Sequence, residues 1–364
     1  MKQKKTPELG WVTMTVVPLA QAKNGSRLSE DVFTKRGNLL LEKGKVIHER
    51  ERQLLHAFMI TSIPLENGTE NDLSEMTVDA PSSDHSSTLD DEIKVMKDLL
   101  KRVFNLIASG QPVPILEIRL QLIRLLDHID EFQVLLNEKK DIGSDYLFIN
   151  SIYVAMTSYL LSKWHGLPQK DWLPVALGGL LHNIGHAKVD ASIFERKEKL
   201  TAEERDHMQK HTLMGYQIMK NVPAVNEGVK YCTLQHHERE DGSGYPMGVT
   251  GDRIHPYAKI VAIADIYQAM ISNRSYKSSQ SPYLVLDQLW EESFGKLDPT
   301  LVQTFIIKVT SFSKGNLVKL NDGSVGEIVF FDRDNPTRPW VKVGENIINL
   351  VVERKMYIQE VLTR

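Results

Sequence analysis

Apolar side chains recur at helical spacing through the middle of the chain, and this pattern limits the fold more than any other feature. Ile93, Met96, Leu100, Val103, Phe104 and Ile107 trace one face, and Ile115, Ile118, Leu122, Leu125, Ile129 and Phe132 a second, with Pro112 and Pro114 between them. Steps of three and four residues put such side chains on one side of a helix, which then needs other helices to cover it. Tyr146 to Trp164, Trp172 to Leu181, Ile254 to Ser272 and Pro282 to Glu291 read the same way. The expected fold is mainly α, a bundle of about seven or eight helices.

The flanks differ from the bundle. Thr13 to Val17 is β-rich, Leu39-Leu40-Leu41 is a short apolar run closed by Gly44, and Leu54, Leu55 and Phe58 keep helical spacing until Pro64. Residues 1–65 are therefore expected to form a small mixed α/β unit. From 66 to 92 nine acidic residues and several serines occur with few large apolar groups. Such a segment buries too little apolar surface to offset its ordering entropy, so it reads as a flexible acidic linker. The helical domain is expected over 93–310. After Ser313 the period changes to two: Leu317 to Leu320 and Val325 to Phe331 flank Asn321-Asp322-Gly323, a hairpin signal, and Trp340 to Val352 offers one or two more strands. A small C-terminal β unit, 311–364, follows.

Lys plus Arg number 44 against 47 Asp plus Glu, a formal charge of −3, which gives no whole-protein field for nucleic acid or an anionic membrane. The single cysteine, Cys232, excludes an intrachain disulfide and any CxxC zinc pattern. The basic start Met1-Lys2-Gln3-Lys4-Lys5 has no apolar stretch behind it, and Leu173 to Leu181 is far shorter than the roughly 20 residues that span a bilayer. A soluble, cytoplasmic protein is expected, with neither nucleic acid nor membrane as partner.

Histidine carries the chemical signal. Six of the twelve lie between 182 and 237, where even scatter would place about two. His182/His186 and His207/His211 are spaced four apart, on one helix face. Neutral imidazole is a ligand for zinc, iron and manganese, so a cluster points to a metal. His182-Asn183-Ile184-Gly185-His186 has the outline of the zincin frame but lacks its general base, because Asn183 cannot take a proton. A zincin protease is excluded. His236-His237-Glu238 followed by Asp241-Gly242-Ser243-Gly244-Tyr245-Pro246 is more specific: paired histidines leave a helix end and a glycine-rich turn brings backbone close to whatever they hold.

This stretch resembles the HD-GYP family, a branch of the HD phosphohydrolase superfamily. The resemblance runs over about 135–295: Asp145-Tyr146, Leu181 to Gly185, Leu200-Thr201 with Glu204, His211 and Gly215, the HHE…DGSGYP stretch, Ile260 to Asp265, and Asn273 to Lys277. Leu28 to Val32 with Gly44 also looks like the small domain that precedes HD-GYP in many bacterial proteins. The resemblance implies a helical bundle that holds two or three iron or manganese ions and hydrolyses the bacterial second messenger cyclic di-GMP. It places His182, His211, His236, His237 and Asp265 at metal-ligand positions. It places Arg274 and Lys277 at substrate phosphate, with Gly244, Tyr245 and Pro246 as further substrate contacts.

Four positions depart from the pattern that the resemblance implies. Asn150 stands for a metal-binding His, Asn183 for the Asp that bridges two metals, His186 for a substrate-side Lys, and Gln268 for a carboxylate. Two divalent ions a few ångströms apart repel strongly, and loss of the bridging anion raises that cost. Three readings stay open. One is a degenerate member that acts by binding in second-messenger signalling, with one metal ion or none. Another is an active phosphodiesterase with a rewired site in which His186 replaces a lost ligand. The last is a hydrolase of another phosphorylated small molecule. The terminal units, which carry no catalytic constellation, are expected to meet a protein partner, and a homodimer is compatible with all three.

Overall fold

The computed structural model describes residues 15–19, 22–33, 39–48, 51–52, 55, 60, 62–66, 87–132, 134, 145–189, 201–272, 280–311, 314–332 and 334–362. The chain divides into two compact units, Met1–Ser86 and Ser87–Arg364.

In the first unit β1 (Thr15–Pro18) pairs antiparallel with β4 (Ser62–Leu65), and β2 (Val32–Phe33) with β3 (Leu39–Leu41). Leu19, Leu28, Ile47, Leu55 and Ile63 form its core. Pro64 lies within β4, opposite Val16. The helical spacing over 49–59 falls largely outside the described residues, as do Thr13, Met14 and the greater part of the acidic segment.

The second unit begins with α1 (Leu89–Ala108) and α2 (Ile115–Asp127), whose apolar stripes meet as their spacing requires. Thr88 caps α1: its hydroxyl accepts from the Asp91 amide while the Asp91 carboxylate accepts from the Thr88 amide at 3.1 Å. α3 (Tyr146–Trp164) and α4 (Gln169–Leu181) carry apolar and small residues on most of their surface, and they run through the middle of the core. α5 (Ala202–Gln209), opened by a Thr201–Glu204 capping box, leads into α6 (His211–Met219) and α7 (Glu227–Gln235). α8 (Pro256–Ile271) packs on α3, and α9 (Pro282–Glu292) and α10 (Pro299–Ser311) complete the helices. Among the described residues no helix is long and apolar enough to cross a membrane.

The C-terminal strands β5 (Leu317–Leu320), β6 (Val325–Phe330), β7 (Trp340–Val343), β8 (Asn346–Asn349) and β9 (Ile358–Leu362) form one antiparallel sheet in the order β8-β7-β6-β5-β9. Gly323, at φ +87°, turns the β5–β6 hairpin where Asp-Gly marked it. β9 pairs with β5 across the chain, and Asn321 guides it there: its side chain accepts from the Tyr357 amide at 2.9 Å and donates to the Lys355 carbonyl at 3.1 Å. Val318, Leu320, Ile328, Val341 and Ile358 point to one side, where Tyr283 of α9 joins their core. Sheet and bundle thus share one compact unit.

Candidate metal centre

Helix ends gather the histidines. α4 runs out at His182, α6 begins on His211, and α7 runs out into His236 and His237. Ring centroids lie 4.9 Å apart for His182–His236, 5.2 Å for both His211–His236 and His211–His237, and 4.1 Å for His236–His237. The turn Ile184–Lys188 after α4 meets the start of α6 at Gly185, where a Cβ would stand 1.9 Å from the His211 carbonyl oxygen. Only glycine permits this approach, and the approach carries His182 and His186 to His211.

Backbone carbonyls fix the tautomers. Nδ1 of His182, His211 and His236 lies 2.6, 2.7 and 2.8 Å from the carbonyl oxygens of Gly179, Met208 and Cys232. A carbonyl only accepts, so each Nδ1 carries a proton, and the neutral His211 and His236 rings each present an Nε2 lone pair. Nε2 of His211 and Nε2 of His236 are 3.2 Å apart. Burial pushes the His211 pKa down to about 4, and burial followed by neighbouring histidines pushes His236 and His237 well below the ordinary value. At neutral pH no proton relieves the opposed lone pairs; a cation does. Metal–nitrogen bonds of about 2.0–2.1 Å at a tetrahedral angle set donor nitrogens about 3.3–3.4 Å apart, close to what is found. The donor atoms of His211, His236 and His237 all lie within 4.8 Å of one another. These three residues fit a metal ion, and the carbonyl-anchored rings of His211 and His236 are oriented as metal-bound histidines are.

Asp265 of α8 and Asn150 of α3 meet beside this cluster. Asn150 Nδ2 donates to Asp265 Oδ1 at 3.1 Å, and His182 Nε2 is 3.4 Å from the same oxygen. Burial alone would raise the Asp265 pKa, but the His182 contact, the neighbouring histidines and the Asn150 amide outweigh it and hold the carboxylate well below its usual range. Asn183 is half-buried at the head of the turn that follows α4. The His186 ring stacks on His211, with centroids 4.1 Å apart and planes at 14°. A metal ion lies in the plane of each imidazole that binds it, and two stacked planes share no such point. His186 therefore supports the His211 ring rather than sharing its ion. Gln268 is buried one turn beyond Asp265, and its Nε2 donates to Thr157 Oγ1 at 2.8 Å.

The family model for an HD domain matches residues 128–301, the stretch that holds every one of these side chains. The helical region holds an HD domain and resembles the HD-GYP branch of that family. It is 29% identical over 200 residues to the cyclic di-GMP phosphodiesterase PdeB of Borreliella burgdorferi, over 55% of this chain and 52% of that protein. It is 37% identical over 156 residues to the cyclic di-GMP phosphodiesterase of Thermotoga maritima, over 42% of each chain. The chain spans about half the length of the curated relatives it matches. Among solved structures, the HDG"Y"P protein Bd1817 of Bdellovibrio bacteriovorus shares the fold, with a TM-score of 0.50 and 16% identity over 80% of this chain and 98% of that one.

The HD-GYP loop closes on the cluster. Tyr245 stacks on His237 with centroids 4.6 Å apart, and its amide donates to the His237 carbonyl at 3.2 Å. A Cβ on Gly244 would lie 2.5 Å from the His237 carbonyl oxygen, so the loop comes down on backbone. Pro246 follows Tyr245 through a cis peptide bond. Glu238, which sequence reasoning passed over as a functional residue, anchors the loop from below. Its buried carboxylate accepts from the Met247 amide at 2.7 Å and the Val249 amide at 3.1 Å. The only sequence signal for this role is an acidic residue directly after two ligand histidines. Arg274 and Lys277 lie outside the described residues.

Proposed function

We propose that this chain is a substituted HD-GYP protein that acts in second-messenger signalling by binding a cyclic dinucleotide, with little or no hydrolysis. The observation that carries this reading is the Asn150–Asp265 hydrogen bond of 3.1 Å. An amide occupies the carboxylate from the side where the family pattern has a metal-binding imidazole, and Asn183 brings no bridging charge. A divalent ion at the three-histidine cluster supplies Lewis-acid character when bound. The chain's own residues do the rest: His182, His211 and His236 hold their rings by backbone carbonyls, Tyr245 covers His237, and Glu238 keeps the loop in place. Relatives named as cyclic di-GMP phosphodiesterases and as a 3'3'-cGAMP-specific phosphodiesterase of Vibrio cholerae support a cyclic dinucleotide as ligand. The terminal units belong to protein contacts in the same reading.

The test is calorimetric titration of the full chain with cyclic di-GMP and with 3'3'-cGAMP, beside a chromatographic hydrolysis assay under manganese and anaerobic iron. Saturable binding without product is expected. Multiple turnover of either dinucleotide would overturn the loss of hydrolysis, and absence of binding to both would remove the ligand class.

A further inference from the structure

The donor atoms around the cluster divide into two unequal sets. One set is complete: His211, His236 and His237 converge within 4.8 Å, and the first two hold Nε2 lone pairs toward a common point 3.2 Å across. Among the described residues the other set holds His182 and Asp265 as the side chains that bind metals well. Its third member, Asn150, turns an N–H toward the carboxylate, and an N–H donor repels a cation. Asp265 Oδ1 already faces both Asn150 and His182, at 3.1 and 3.4 Å. His186, the remaining imidazole, stacks face to face on His211 and so shares no ion with it.

From this division we infer that the site is mononuclear. One transition-metal ion binds at His211, His236 and His237, and the Asn150 amide stands where a second cation would otherwise satisfy Asp265. The inference rests on the reading of a substituted site and fixes its stoichiometry. Two consequences separate it from a binuclear centre. The ion depends on His237 and is independent of Asp265. Loading with excess metal stops at one ion per chain, because the second set offers two ligands and a hydrogen-bond donor in place of a third.

The experiment uses the full chain, stripped with chelator and titrated with Mn(II), with bound metal counted by mass spectrometry after desalting. One ion per chain is expected in the wild type. His237→Ala should weaken binding by about 100-fold or more, beyond the usual effect of an outer hydrogen-bond partner. Asp265→Asn should keep one ion, with an affinity change smaller than about tenfold. Circular dichroism of each stripped variant checks its fold, and His182→Gln asks the same question where Asp265→Asn fails to fold. Two ions or none in the wild type, retention of the ion by His237→Ala, or its loss from a folded Asp265→Asn protein each overturns the inference. Turnover of cyclic di-GMP with a single ion bound would remove the proposed loss of hydrolysis and leave the stoichiometry standing.

Discussion

A neutral histidine sealed inside a protein makes stability depend on pH, and this chain seals several together. The His211 pKa falls to about 4 in the folded state, from an ordinary 6.5, chiefly through burial. Between those values the unfolded chain binds the proton and the folded chain does not, so stability is full above about pH 6.5 and is lost as pH falls toward 4. For His211 alone the loss at the acid end is about 3 kcal/mol. His186, His236 and His237 are shifted in the same direction. Asp265, held low, stays ionised in the folded chain through this window and adds slope only at its acid end, where the unfolded carboxyl begins to bind protons. Urea denaturation of the chelator-treated protein should show a midpoint that drops steadily from pH 7 to pH 4.5; a flat midpoint would mean the cluster is not dry. At this scale the histidines that the structure gathers were legible, because paired histidines before a Gly-Tyr-Pro turn are a rare arrangement. What Asn150 does was not. Sequence marked it as a lost ligand, while its hydrogen bond to Asp265 exists only because α3 and α8 pack side by side. Glu238 escaped for the same reason, since its two amide partners lie nine and eleven residues away in a folded loop.

Elements place these groups through a few close approaches, and the sharpest is the turn Ile184–Lys188 against α6. A methyl group on Gly185 would sit 1.9 Å from the His211 carbonyl oxygen and 2.6 Å from the Gly215 amide nitrogen, both backbone atoms that cannot swing aside. Gly185→Ala must therefore push the turn off α6, at about 1–3 kcal/mol for an overpacked contact. The displacement should also carry His211 away from His236, so Mn(II) affinity should fall with stability. A variant that lost stability but bound Mn(II) as before would show that the turn does not position His211. Periodicity read the long helices well: Tyr146 to Trp164 was legible to the residue, and α1, α2, α8 and α9 to within a few. It could not read the short turn after α4, which has no full period of its own. Nor could it find β9, whose pairing with β5 is set by contacts some forty residues apart in sequence.

At the scale of the molecule, the change of hydrophobic period after Ser313 separated a helical domain from a C-terminal β unit, but the sheet and the bundle are continuous in structure. Tyr283 of α9 is buried in the core of the sheet. Arg338, from the loop before β7, pairs with Asp287 of α9 at 3.0 Å, and the Ser281 hydroxyl donates to the Ile358 carbonyl of β9. A chain cut after Ser311 would expose the Tyr283 ring and strand these partners. Uncovering one large side chain costs about 3 kcal/mol. At about 2–4 °C per kcal/mol for a unit of this size, the melting temperature of 87–311 should fall roughly 6–12 °C below that of 87–364. Removal of residues 1–86 is a different operation, because that segment forms a compact unit with its own core. The piece 87–364 should melt within a few degrees of the corresponding transition in the full chain and bind Mn(II) equally well. Both pieces are accessible to calorimetry, and the order of their transitions discriminates. Equal stability of 87–311 and 87–364 would mean that the sheet merely rests on α9. A large fall on removal of 1–86 would mean that the bundle draws stability from residues 1–86.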